Sequence, residues 1–157
     1  MKKRLIICYL LFVNLVIYGQ EPRLVLPVGH TNNVVSASFS FDGKKVVTAS
    51  TDKTAKIWDA QTGKLLASLE GHDDRVTFAS FSPEGNRIIT TSEDETAIVW
   101  NAANGNLLYK LKGHEGWVNS AEFSGDGKKI VTASSDNTAK IWDSRTGTLL
   151  TTLEGHD

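Results

Sequence analysis

A repeat of 42 residues is the feature that most restricts how this chain can fold. Gly-His pairs begin at Gly29, Gly71, Gly113 and Gly155, and each pair follows the last by 42 residues. Tryptophan and aspartate recur at the same interval, and no insertion interrupts the period. A period of this length indicates that the chain repeats one small structural unit. Such a unit becomes stable only when neighbouring units stack.

The pattern within each unit predicts strands. Apolar residues alternate with polar ones over short runs, and turn residues separate the runs. A tight turn is expected at 124–127, because Asp-Gly tolerates the positive φ that hairpins need. No segment after residue 19 keeps a 3.6-residue period, so no helix is expected there. The strands predicted for the third unit are 118–123, 129–133, 139–142 and 149–153.

Residues 1–19 differ in composition and predict a secretory signal peptide. Three basic residues at positions 2–4 precede an apolar run over 5–18, and Gly19 supplies a small residue for cleavage. The run is shorter than the roughly 20 residues that a membrane-spanning helix needs. We expect cleavage after Gly19. An uncleaved anchor stays as the alternative, because the large side chain of Ile17 occupies the third position before the cut.

Charge and cysteine content exclude several functions. The net charge is −1, and removal of residues 1–19 would leave −4, which opposes binding to nucleic acid and to anionic lipid. Cys8 lies in the predicted leader, so the mature chain would have no disulfide, thiolate zinc site or cysteine nucleophile. We expect a periplasmic, cell-envelope or secreted protein that needs no cofactor and does not stay inserted in a membrane.

The recurring motifs resemble those of the WD-repeat β-propeller family. A Gly-His pair, an Asp-x-Thr turn and a Trp-Asp pair recur from about residue 24 to the end, although Asn101 replaces the aspartate of the second Trp-Asp pair. The resemblance implies an all-β fold, a partial and open β-propeller of three four-stranded antiparallel blades over residues 20–157. It places the outer strands at 65–69, 107–111 and 149–153, with a further one at 24–28. The repeats are 29–70, 71–112 and 113–154, and a fourth begins at residue 155.

The number of blades predicts an incomplete ring. Propellers usually close with 4–8 blades, whereas this sequence provides three. Counting the strand at 24–28 gives three sets of inner strands and four outer strands, which argues against a simple ring of identical chains. We therefore expect a fragment of a longer chain, or the product of a prematurely ended reading frame, whose remaining blades are missing and whose two flanks expose apolar surface.

A histidine, hydroxyls, an aspartate and a tryptophan occur once in each unit. A Ser-His-Asp triad is rejected because the sequence lacks a nucleophile elbow and an oxyanion loop. A metal site is rejected because histidines 42 residues apart lie on different blades. The resemblance instead implies a structural chain of hydrogen bonds from the indole N–H through a strand hydroxyl to histidine and aspartate. The candidates are His30, Thr48 or Ser50, Asp52 and Trp58; His72, Thr90 or Ser92, Asp94 and Trp100; and His114, Thr132 or Ser134, Asp136 and Trp142.

The family's known use implies a non-enzymatic scaffold that binds proteins through the face carrying the Gly-His loops. Trp117 is the main anchor candidate, because its equivalents are Asn33 and Arg75 and tryptophan is enriched among interface hot spots. Alternatively, Trp117 packs on the neighbouring loop. The acidic residues of these loops suit a basic partner. The candidate partner-binding residues are Asn33, Asp73, Asp74, Arg75, Glu93, Glu115 and Trp117.

The sequence is also compatible with two other functions. The repeats could be the targeting module of an enzyme whose catalytic domain lies beyond residue 157. They could also bind a small ligand or a glycan in the central channel, although no convergent polar groups mark that axis.

Overall fold

The structure, a computed structural model, describes residues 29–155, which form three four-stranded antiparallel sheets. Each sheet uses four consecutive strands in chain order, and this part of the chain contains no helix and therefore none that could cross a membrane. The predicted signal peptide and the predicted strand at 24–28 lie outside the described residues. The strands are β1 (Val34–Phe39), β2 (Lys45–Ser50), β3 (Thr54–Asp59), β4 (Leu65–Glu70), β5 (Val76–Phe81), β6 (Arg87–Ser92), β7 (Ala97–Asn101), β8 (Leu107–Leu111), β9 (Val118–Phe123), β10 (Lys129–Ser134), β11 (Ala139–Asp143) and β12 (Leu149–Leu153).

Alternation along the strands gives every sheet two different faces. In the first sheet Val46 lies opposite Trp58 on one face, and Val47 lies opposite Ile57 on the other. We call the side that carries the tryptophan the tryptophan face, and the opposite side the aliphatic face. The same register recurs in the other two sheets, so that all three sheets present the same pair of faces.

The sheets stack because the aliphatic face of each one packs on the tryptophan face of the next. Between the first and second sheets, Ile57 and Leu69 join Phe81 and Trp100 in one buried cluster. Contacts of β5 with both β1 and β9 place these three strands next to one another. Neither face could be buried by a single sheet, so stacking supplies the apolar core. The equivalent cluster between the second and third sheets contains Ile89, Ala97, Val99, Leu111, Ala121, Phe123, Ile130 and Trp142.

Cationic side chains at the start of the second strand bind the following sheet. Lys45 Nζ donates to the carbonyl oxygen of Ala102 over 3.1 Å. At the equivalent position, Arg87 donates to the carbonyl oxygens of Ser144 and Gly127. These bonds connect residues far apart in sequence, and they fix how neighbouring sheets are set against each other at this end.

The fold class predicted from the sequence is confirmed, and the strand positions agree closely with the prediction. In the third sheet β9 and β12 have the predicted bounds, while β10 and β11 each extend one residue further, to Ser134 and Asp143. In the turn at 124–127 only Gly127 has a positive φ, of 67°. The left-handed conformation predicted for an Asp-Gly pair therefore falls on the glycine alone, where no Cβ opposes it.

Candidate functional site

A chain of hydrogen bonds links the third strand of each sheet to two loops at one end of the molecule. In the second sheet Trp100 Nε1 donates to Thr90 Oγ1 over 2.8 Å, and this hydroxyl lies 2.8 Å from His72 Nε2. His72 Nδ1 in turn lies 2.8 Å from Asp94 Oδ2. The hydroxyl accepts from the indole and has one proton, so it donates to Nε2 when the proton of the imidazole is on Nδ1. Distances of 2.7–2.9 Å form the same chain with Trp58, Thr48, His30 and Asp52, and with Trp142, Thr132, His114 and Asp136.

The structure distinguishes between the two hydroxyls that the sequence left open. Threonine contacts the indole and the imidazole in all three sheets, whereas the serine two residues later has different partners. Ser92 Oγ donates to the Asp74 carbonyl oxygen over 3.1 Å and accepts from the Asp94 N–H over 3.0 Å. The serine therefore fastens the neighbouring loop to the turn. The bonds of Ser50 and Ser134 are equivalent.

Each network aspartate accepts four hydrogen bonds. Asp94 accepts from His72, from the Asp73 N–H and from both the N–H and the hydroxyl of Thr96. The threonine was absent from the predicted set, although the Asp-x-Thr spacing was the signal that could have included it. Burial alone would raise the pKa of Asp94, but the bonds from His72, Thr96 and Asp73 outweigh it and hold that pKa well below its usual range. Burial and hydrogen bonds oppose each other in the same way at Asp52 and Asp136, and the hydrogen bonds lower the pKa of both.

The buried polar groups of these networks are all hydrogen-bonded. Among the described residues, no buried side-chain nitrogen or oxygen lacks a hydrogen-bond partner. Nor does the range 29–155 contain a group of three or more histidine, cysteine, aspartate or glutamate side chains that could hold a metal ion. The Thr90 hydroxyl lies between two ring nitrogens in a buried position. Its two bonds tie the second and third strands to the loop that carries His72.

The loops held by the networks form one surface, which we call the loop face. It comprises residues 31–33, 73–75 and 115–117 together with the turns at 51–53, 93–95 and 135–137. Trp117 is 55% exposed, and its backbone is fixed because its carbonyl oxygen accepts from the Ser135 N–H over 2.8 Å. Arg75 Nη1 and Glu93 Oε1 lie 3.8 Å apart, with the glutamate the less exposed of the two. The remaining candidate residues, Asn33, Asp73, Asp74 and Glu115, are exposed on the same surface.

Asn101 takes the place of the aspartate that ends the third strand in the other two sheets. Its Oδ1 accepts from the Ala103 N–H over 2.8 Å and from the Asn104 N–H over 3.3 Å. Asp59 closes the equivalent turn through bonds from Gln61 and Thr62. The turn needs an acceptor oxygen, which both residue types supply, so this departure from the motif leaves the turn intact.

The family described as "WD domain, G-beta repeat" matches residues 21–59, 63–101 and 105–143, which together cover more than half of the chain. The chain belongs to the WD40 repeat family. Each match ends at the residue that follows a structural tryptophan, namely Asp59, Asn101 or Asp143. WD40 repeats generally mediate contacts between proteins, and WD40 domains are typically non-catalytic.

Two curated WD40 relatives are similar to this chain over single short stretches. The vegetative incompatibility protein HET-E-1 of Podospora anserina is 51% identical over 35 residues, which are 22% of this chain and 3% of that protein. Eukaryotic translation initiation factor 3 subunit I of Danio rerio is 45% identical over 42 residues, which are 27% of this chain and 13% of that protein. The matched stretches thus span a small part of either relative.

Proposed function

We propose that the chain is a non-catalytic scaffold, exported from the cytoplasm, that binds a protein partner through the loop face. The observation that carries the proposal is the exposed indole of Trp117. It lies on a surface whose backbone is held in place by the networks beneath it. Exposed tryptophans in ordered loops are suited to be anchors, because a partner can desolvate a large apolar area around them.

The surroundings of Trp117 are ordered before a partner arrives. His114 Nδ1 lies 2.7 Å from Asp136 Oδ2, and the Glu115 N–H donates to the same oxygen over 3.1 Å. The Ser135 N–H fixes the Trp117 carbonyl from the other side. A partner that binds a loop held in this way pays little conformational entropy for ordering it, which favours affinity.

The charge of the loop face favours a basic partner. Asp73, Asp74 and Glu115 are exposed there, and Glu95 is exposed in the adjacent turn. Two exposed cations lie on the same surface: Lys53 Nζ donates to the Asp73 carbonyl oxygen over 2.8 Å, and Arg75 is partly neutralised by Glu93 at 3.8 Å. A surface with this excess of carboxylates attracts cationic segments, and the attraction weakens as salt is added.

Affinity capture with matched variants tests the binding surface. Trp117→Ala should lose the proteins that the wild-type chain captures from an extracytoplasmic fraction. Phe41→Ala is the control, because Phe41 is an exposed aromatic residue in the β1–β2 turn at the opposite end of the sheets. Equal recovery by the two variants would remove Trp117 from the proposed surface.

The preference for a basic partner is tested on the captured protein with a charge variant. Glu115→Gln keeps the backbone bond to Asp136 and removes one exposed negative charge. We expect this variant to bind more weakly at low salt and to show a smaller loss of affinity as salt is raised. Unchanged affinity and unchanged salt dependence would argue against a basic partner.

Export rests on residues 1–19 and is tested separately. A fusion of residues 1–28 to a reporter that is active only outside the cytoplasm should be active, and the mature amino terminus should be Gln20. An intact amino terminus in the membrane fraction would instead support the anchor. A reporter that stays inactive would overturn export and leave the binding proposal standing.

A further inference from the structure

Within residues 29–155, no further sheet covers the two outer flanks of the three-sheet stack, and the two flanks differ from each other. The first sheet presents its tryptophan face on one flank, and the third sheet presents its aliphatic face on the other. Phe39 is 67% exposed on the first flank, whereas its equivalents Phe81 and Phe123, which are covered by a neighbouring sheet, are 8% and 6% exposed. Val131 and Leu153 are exposed on the second flank. Apolar surface of this kind indicates a docking site.

The same sheet–sheet interface forms twice within the stack, and in the described part of the chain each outer flank carries one half of it without a partner sheet. The aliphatic positions Val47 and Leu69 of the first sheet, and Ile89 and Leu111 of the second, are buried against the next sheet. Val131 and Leu153 repeat them in the third sheet, one period later. The exposed tryptophan face of the first sheet likewise repeats the two faces that are covered. The free flanks have the residues needed to bind each other.

The polar contacts across the stack are repeated as well. Lys45 and Arg87 donate to the carbonyl oxygens of Ala102 and Ser144 in the following sheet. The equivalent cation on the free flank of the third sheet is Lys129, which is exposed. The equivalent carbonyl on the free flank of the first sheet belongs to Ala60, which is also exposed. One flank therefore exposes a cationic donor, Lys129, and the other exposes the residue with the matching acceptor, Ala60.

Glycines in the turn before the outer strand lie close to the preceding sheet wherever such a sheet is present. A Cβ placed on Gly105 would lie 3.0 Å from Cβ of Ala67 in the preceding sheet, and one on Gly147 would lie 2.8 Å from Tyr109 Cδ2. The equivalent Gly63 meets nothing within 4 Å. This glycine leaves room for the outer strand of a preceding sheet on the free flank.

We propose that these flanks bind each other between copies, so that the aliphatic face of the third sheet in one chain docks on the tryptophan face of the first sheet in a second chain. Lys129 of one copy donates to the Ala60 carbonyl oxygen of the other. The interface is head-to-tail, and two copies closing on each other give a ring of six blades, within the usual range. The predicted strand at 24–28, which disfavours such a ring, lies outside the described residues. Residues 29–155 by themselves form three complete sheets of four strands.

Sedimentation velocity with flank variants tests this head-to-tail interface. The 157-residue chain should associate reversibly as its concentration rises. Phe39→Asp blocks the first flank and Val131→Asp blocks the second, and each variant alone should lose roughly tenfold or more in association constant because a charge is buried without a partner. Phe41→Asp adds the same charge at an exposed site off both flanks and should associate like the wild type.

Mixing the two blocked variants separates a head-to-tail interface from general stickiness. Phe39→Asp keeps its second flank and Val131→Asp keeps its first flank, so an equimolar mixture should form a heterodimer that grows no further. A wild-type chain that stays monomeric would overturn the proposal and would mean that something other than a second copy covers the flanks. Variants that associate alone, or a mixture that stays monomeric, would overturn it too.

Discussion

The hydroxyl oxygen of Thr90 lies 2.8 Å from the indole nitrogen of Trp100, and both side chains are buried between the first and second sheets. The two residues are on adjacent strands, and the same hydroxyl is hydrogen-bonded to His72, which lies at the loop face. The geometry of that surface therefore depends on packing in the core beneath it.

Replacing Trp100 with alanine should remove one of the largest buried side chains and leave a cavity at the interface of two sheets. We expect the free energy of unfolding, measured by urea denaturation, to fall by about 3–5 kcal/mol. Trp117→Ala is the control, because its exposed indole should cost within about 0.5 kcal/mol. An unchanged denaturation midpoint for Trp100→Ala would contradict the buried role.

Replacing Thr90 with valine keeps the shape of the side chain and removes the hydroxyl. The Trp100 indole N–H and His72 Nε2 then lose their partner in a buried position, so we expect a loss of about 1–3 kcal/mol in unfolding free energy. Thr48→Val is the matched variant in the first sheet. It should cost less, because Thr48 and Trp58 are only half-buried and water can replace the bond. Equal losses would show that burial does not set the cost.

The lowered pKa values of the network aspartates predict acid lability. Burial raises the pKa of Asp94, but its hydrogen bonds lower the folded-state pKa below the ordinary 3.8. A group with a lowered folded pKa stabilises the folded state above its ordinary pKa and loses that contribution as the pH falls further. The free energy of unfolding should therefore decline below about pH 4. Asp94→Asn should be less stable at neutral pH and decline less steeply, and an identical slope would contradict the assignment.

Removing the Arg87 side chain should weaken the contact between the second and third sheets. Its guanidinium donates to the carbonyl oxygens of Ser144 and Gly127 and lies 5.0 Å from the Phe123 ring centroid. Arg87→Ala should cost about 1.5–3 kcal/mol in thermal or urea unfolding. Lys45→Ala removes a single bond, to Ala102, and should cost less. The reverse order would mean that these bonds add little to stacking.

Glu95 offers a stabilising substitution. It has a φ of 66° in the turn between β6 and β7, where Asn137 has 64° in the equivalent turn of the third sheet. Left-handed backbone is unfavourable for most residues and is tolerated by asparagine. Glu95→Asn should raise the free energy of unfolding by up to about 1 kcal/mol. Glu95→Ala keeps the steric penalty of a Cβ and should show no such gain.

Two lysines are buried at positions where the sequence pattern predicts exposure. Lys56 and Lys140 are buried, and their ammonium groups donate to Ser68 and Thr152 on the neighbouring outer strand. In the second sheet the equivalent position is apolar, and Lys110 on the outer strand donates to the Gly71 carbonyl oxygen instead. An alternating pattern predicts that a lysine is exposed. Its burial depends on the neighbouring sheet and strand, which the pattern does not specify.

The sequence by itself determined the number of sheets, the positions of their strands and the residue types that join strands to loops. These features are local, because a period of two, a turn motif or a Gly-His pair is written within a few residues and is repeated every 42. The tertiary structure decided that Thr90 and not Ser92 meets Trp100, because both hydroxyls point to one face and only the distance across two strands separates them. It also decided which cations bind the next sheet and which flanks stay exposed. Those relations join residues from different repeats, and only the stacking of whole sheets brings such residues together.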